Sequence, residues 1–148
     1  MAFEKSIHLT DCKYRYTISP NVKKFTLRDT TFVQNKIGNY ELHRLLEKVP
    51  NSGEGFPLKI TINKDLTGFK LSITDKSGLR NVNIFKNEDH HILQEKFYFL
   101  MQSLVDRNVF EQEEVKIFSY YIEIAYPCDR FFISPLLHYF VAIFTNFS

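Results

Sequence analysis

The clearest pattern of hydrophobic and polar positions lies between residues 58 and 84. Leu58, Ile60 and Ile62 alternate with Lys59, Thr61 and Asn63. Beyond Asp65-Leu66-Thr67-Gly68, Phe69, Leu71 and Ile73 alternate with Lys70, Ser72 and Thr74. Beyond Asp75-Lys76-Ser77-Gly78, Val82 and Ile84 alternate with Asn81 and Asn83. A period of two marks a strand with one buried face. Three such runs separated by short turns predict an antiparallel meander with strands near 58–64, 69–75 and 79–85. A slip of one residue would bury Lys59 and Lys70, so the register is well specified.

The period then changes. Leu93, Phe97, Leu100, Met101, Leu104 and Val105 form one apolar stripe at helical spacing, which predicts a helix near 88–107. Asn87 stands at the N-cap position, and Glu88 and Asp89 place negative charge in the first turn, where the helix dipole favours it. Asn108 serves as the stop. The stripe needs an apolar surface, and the greasy face of the meander supplies one. The expected fold class is α+β: a two-layer sandwich in which the helix covers the sheet.

Upstream, Ser6–Thr10 and Tyr14–Ile18 flank the turn Asp11-Cys12-Lys13 and predict a hairpin, closed by Ser19-Pro20-Asn21. Residues 22–36 favour strand through Phe25, Leu27 and Thr30-Thr31-Phe32-Val33. Residues 40–46 are read as a strand, although Leu42, Leu45 and Leu46 also fit helical spacing. Residues 49–57 are rich in Pro, Gly, Asn and Ser and read as an exposed loop.

Composition changes the picture at one place. Residues 111–148 hold ten of the 23 Phe and Tyr in a chain of 148 residues without Trp. Charge changes sign there too. Residues 1–110 carry 17 Lys and Arg against 12 Asp and Glu, whereas 111–148 carry 2 against 5. A sandwich domain over 1–110 and an aromatic-rich tail over 111–148 follow as the expected organisation. Within the tail, 131–144 is the one membrane-like run. It is shorter than the roughly 20 residues of a spanning helix. Three readings stand for it: a docking or core helix, an interfacial membrane segment, or an out-of-frame translation of AT-rich DNA. The N-terminus has no basic region followed by an apolar stretch, so a cytoplasmic location is expected.

The candidate chemistry is sparse. Two cysteines exclude a disulfide scaffold and a four-cysteine zinc ribbon. A net charge of +2 makes a nucleic-acid partner unlikely on charge grounds. Gly53-Glu54-Gly55 lacks the lysine of a phosphate loop, and neither a nucleophilic serine motif nor a carboxylate pair can be identified. His90 and His91 are adjacent on a helix, about 100° apart, and cannot chelate one ion together. His8 and Cys12 would share a face in a continuous strand, but the turn between them spoils this. No metal and no cofactor are expected. Lys59, Lys70, Asn81 and Asn83 should share the polar sheet face and are the candidate binding residues. Such a face is a solvated surface or a docking surface for an acidic protein.

Asn21-Val22-Lys23-Lys24-Phe25-Thr26-Leu27-Arg28-Asp29, Leu58-Lys59-Ile60-Thr61, Lys64-Asp65-Leu66-Thr67-Gly68-Phe69-Lys70 and Val82-Asn83-Ile84-Phe85-Lys86 resemble a small family of lactic-acid bacteria, domain of unknown function 1831. The resemblance covers about residues 1–110. It implies an α+β sandwich. Members are often encoded beside a cysteine desulfurase and sometimes carry that enzyme's name. The chain is too short to be a complete cysteine desulfurase, which needs a large pyridoxal-phosphate domain. The expectation is therefore a non-catalytic accessory or binding protein with a protein partner, linked through the resemblance to sulfur transfer. Two alternatives remain. Cys12 could accept a persulfide sulfur, with Lys13 and Arg15 near it to lower its pKa. The polar sheet face could instead bind nucleic acid, although it lacks interleaved aromatics.

Overall fold

The computed structural model describes residues 2–115. The N-terminal hairpin forms as its alternation predicts. Strand β1 (Ser6–His8) pairs antiparallel with β2 (Tyr14–Ile18), and Ile7 faces Tyr16 across the ladder. Asp11 turns the chain with a φ of 65°, a region that Asp tolerates better than most residues.

Residues 22–36 differ from the strand expectation. Lys24–Asp29 is a short helix, α1, and Val33–Gln34 is a two-residue strand, β3. Phe25 is 62 % exposed and Leu27 is the buried residue of α1. One buried side chain makes no stripe, so no helical period marked this segment, and local β propensity misled.

Strand β4 (Tyr40–Glu47) follows, then β5 (Gly55–Ile62) and β6 (Phe69–Ile73). The sheet order is β3-β4-β5-β6, with Leu42, Ile60 and Leu71 in register across three strands. The expected third meander strand at 79–85 is replaced by β4 on the opposite side of β5. In backbone pairing, residues 79–85 meet the end of β6, through the Thr74–Asn81 bridge and Val82 N–H donating to the Ile73 carbonyl at 2.9 Å. The physical cause is local. The Asn83 side-chain oxygen accepts the Phe85 N–H at 2.9 Å, and such a turn competes with a ladder. Ile84 is nevertheless fully buried.

A 3-10 turn over Glu88–His90 leads into helix α2 (His91–Asp106). Asn87 makes no side-chain cap hydrogen bond; its carbonyl accepts the His90 N–H instead. Leu93, Phe97, Met101 and Leu104 form the buried face. Phe97 meets Tyr16 at 6.1 Å and Phe85 at 5.2 Å, both edge to face. Asn108 ends the helix with a φ of 60°, as a C-terminal stop requires.

The fold continues past Phe110. Strand β7 (Phe110–Glu114) pairs along the whole of β2, and Val115 N–H donates to the Lys13 carbonyl. The second sheet is thus β1-β2-β7. The two sheets meet where Glu4 and Phe69 exchange backbone bonds of 3.0 and 2.8 Å, and where the rings of Phe69 and Phe110 stand 4.7 Å apart. The class is α+β: two antiparallel sheets and one main helix around a shared core. The run 131–144 and Cys128 lie outside the described residues.

Candidate functional site

The candidate binding residues fall into two places. Lys59 and Lys70 lie on the outward face of β5 and β6, opposite Ser72 and Thr61 respectively. Both are engaged. Lys59 Nζ is 3.4 Å from Glu41, and Lys70 Nζ lies 4.3 Å over the ring of Phe3. Glu41 is the centre of this face. Its carboxyl is held below the usual range by the Asn35 amide first, then by His43 and Lys59. Sequence reasoning missed Glu41. Its signal was a polar residue at an outward position of β4.

Asn81 and Asn83 are not on that face. With 79–85 outside the ladder, they stand beside the edge of β6, at a pocket of about 210 Å³. Leu9, Leu71, Ile73, Val82 and Phe85 give it apolar walls; Thr10, Ser72, Asn81 and Asn83 add polar groups. Asn83 is tied to Asp11 at 3.2 Å, which joins the N-terminal hairpin to this wall. Because Phe69 turns its N–H and carbonyl to Glu4, the alternation of an antiparallel strand turns those of Leu71 the same way. They point to the gap between Glu4 and Val82 and have no backbone partner among the described residues. Leu71 itself is 1 % exposed and is one of the residues that line the pocket. A buried backbone group left unpaired is costly, and an occupant that satisfies it is favoured.

Cys12 is fully buried. Burial pushes its thiol up, outweighing the Tyr14 and Lys13 backbone and the Tyr98 hydroxyl, which pull it down. Burial likewise raises Tyr98 to about 12 and raises Tyr16. Tyr14, Tyr16, Tyr98 and Phe97 surround this corner with edge-on and tilted rings. Lys13, the cation expected to activate Cys12, sits 5.9 Å over the Tyr98 ring. His8 Nε2 bonds to the Cys12 carbonyl rather than to its sulfur. Among the described residues no group of three or more His, Cys, Asp or Glu is close enough to hold a metal ion. Nor is any described helix long and apolar enough to cross a membrane.

The sequence model of domain of unknown function 1831, described as "Putative amino acid metabolism", matches residues 1–111. The chain belongs to this family. It is also similar to a solved structure, a DUF1831 family protein from Lactobacillus plantarum. The two share 33 % identity and a TM-score of 0.70, over 76 % of this chain and 99 % of that one. Comparison with curated proteins gives no match. The family match therefore spans β1 to β6 and α2 and takes in the first two residues of β7.

Proposed function

We propose that this chain is a non-catalytic accessory protein of the bacterial cytoplasm that binds a protein partner through the pocket beside β6. The pocket itself carries this reading. Its aliphatic and aromatic walls suit one apolar side chain of a partner, and the Asn81 and Asn83 amides at its rim suit the adjoining backbone. A buried anchor in a preformed pocket is the usual energetic centre of a protein interface. The partner class proposed is a cysteine desulfurase, which the resemblance to this family suggests; the family's description, "Putative amino acid metabolism", is compatible with it.

The other two readings have less support. A sulfur acceptor works as a thiolate at an accessible position, and Cys12 is buried with a raised pKa. A nucleic-acid surface needs free cations, and Lys59 and Lys70 are engaged by Glu41 and Phe3.

The test is calorimetric titration of the full chain with a purified bacterial cysteine desulfurase. Saturable binding is expected, weakened at least tenfold by Thr10→Trp, which places a bulky ring at the exposed pocket rim. Absence of binding removes the desulfurase as partner. Binding indifferent to Thr10→Trp removes the pocket as its site. Mass spectrometry of the same mixture with cysteine added should show no persulfide on Cys12; a persulfide there would restore the acceptor reading.

A further inference from the structure

A second pocket, of about 380 Å³, lies under the β4–β5 hairpin at the start of α2 and shares no lining residue with the first. Its volume falls within the roughly 300–1000 Å³ of small-molecule sites. Val49, Phe56 and Leu93 give it an apolar wall, and Lys48, Lys76 and Glu54 give it charge. The hairpin above it is built rather than loose. The Glu47 carboxylate accepts the N–H groups of Asn51 and Gly53 at 2.9 and 3.0 Å.

Two observations point to the ligand. Lys76 Nζ and Glu54 Oε1 stand 3.9 Å apart at the pocket, with side chains 66 % and 80 % exposed. So exposed a pair contributes little by itself, and parting it for a ligand costs little. Beside it, Val49 leaves 63 % of its surface exposed, and His90 Nδ1 is buried without a hydrogen-bond partner. An acid and a base this close, next to apolar surface, complement a molecule carrying an ammonium and a carboxylate on one carbon.

We propose that this pocket binds a free α-amino acid with an apolar side chain. Lys76 takes the carboxylate, and Lys48 adds a second positive charge to the pocket lining. Glu54 takes the ammonium. The side chain lies on Val49, Phe56 and Leu93. Charge-assisted bonds at both ends supply the selectivity, and covering Val49 and Phe56 supplies affinity.

The full chain, labelled with ¹⁵N, is titrated with L-leucine, N-acetyl-L-leucine and 3-methylbutylamine while amide shifts are followed. L-leucine should give saturable shifts at Gly53, Gly55 and Lys76 with a millimolar or tighter dissociation constant. The two analogues, each lacking one charge, should bind about tenfold more weakly. Glu54→Gln should abolish the preference for leucine over its N-acetyl form, and Lys76→Gln the preference over the amine. Lack of saturable shifts at these amides overturns the proposal. So does equal binding of all three compounds, or leucine binding unchanged in both variants.

Discussion

A methyl group on Gly55 would overlap the Leu46 carbonyl oxygen. Glu47 and Gly55 are the last pair of the β4–β5 hairpin, next to Leu46 and Phe56. Backbone meets backbone here, so no flexible side chain can yield. Gly55→Ala should destabilise the protein by about 2–3 kcal/mol, read as a lowered urea midpoint at unchanged slope. A neutral substitution would mean that the hairpin opens without cost to the core.

Phe97 is fully buried and links α2 to Tyr16 and Phe85. Phe97→Ala removes a ring from both contacts and leaves a cavity. A loss of about 3–5 kcal/mol is expected in the same measurement. Phe99→Ala, on the exposed side of the same helix, should change stability by less than about 0.5 kcal/mol.

The Cys12 and Tyr98 environment predicts a stability loss at high pH. The ordinary values are 9.0 for the thiol and 10.0 for the phenol, and both are raised in the fold, Tyr98 to about 12. The unfolded chain therefore loses these protons first as pH rises, which favours unfolding. The stabilisation is whole below pH 9 and should fade between pH 9 and 12. Urea midpoints across this range should fall, and less steeply in Tyr98→Phe. In native protein at pH 7, iodoacetamide should label Cys12 slowly, as mapped on its peptide, and in urea rapidly.

Val109 and Phe110 are buried, and β7 completes the second sheet. A chain ending at Val115 should unfold cooperatively by circular dichroism, because it keeps every described strand. A chain ending at Asn108 loses β7 and both buried residues and should show no cooperative transition. If the 1–115 chain also fails, residues beyond 115 belong to the folding unit.

The pattern of positions was informative where one face of an element is buried over several residues. Leu58, Ile60, Ile62, Phe69, Leu71 and Ile73 alternate in sequence and are all buried, because a sheet face repeats every two residues. The stripe of α2 was legible for the equivalent reason at helical period. The candidate site was legible only in part. Asn81 and Asn83 do reach a pocket, but its walls come from the β1–β2 connection, β6 and the 79–85 segment, and no local pattern announces that meeting. The Lys76–Glu54 pair joins two turns 22 residues apart in the chain.

By itself, then, the amino-acid order determined the period of each long element, which faces are apolar, and where Asp11 and Asn108 turn the chain. Those properties depend on neighbours within one turn or one strand. Tertiary structure alone decided that 24–29 is a short helix with Leu27 as its buried residue, that β4 pairs with the free side of β5 while 79–85 stays outside the ladder beside β6, and that the charged run Glu111–Glu114 becomes a strand. Glu113 faces Arg15 across that ladder. Pairings of this kind join residues distant in the chain, and their energy appears only when the partners are brought together.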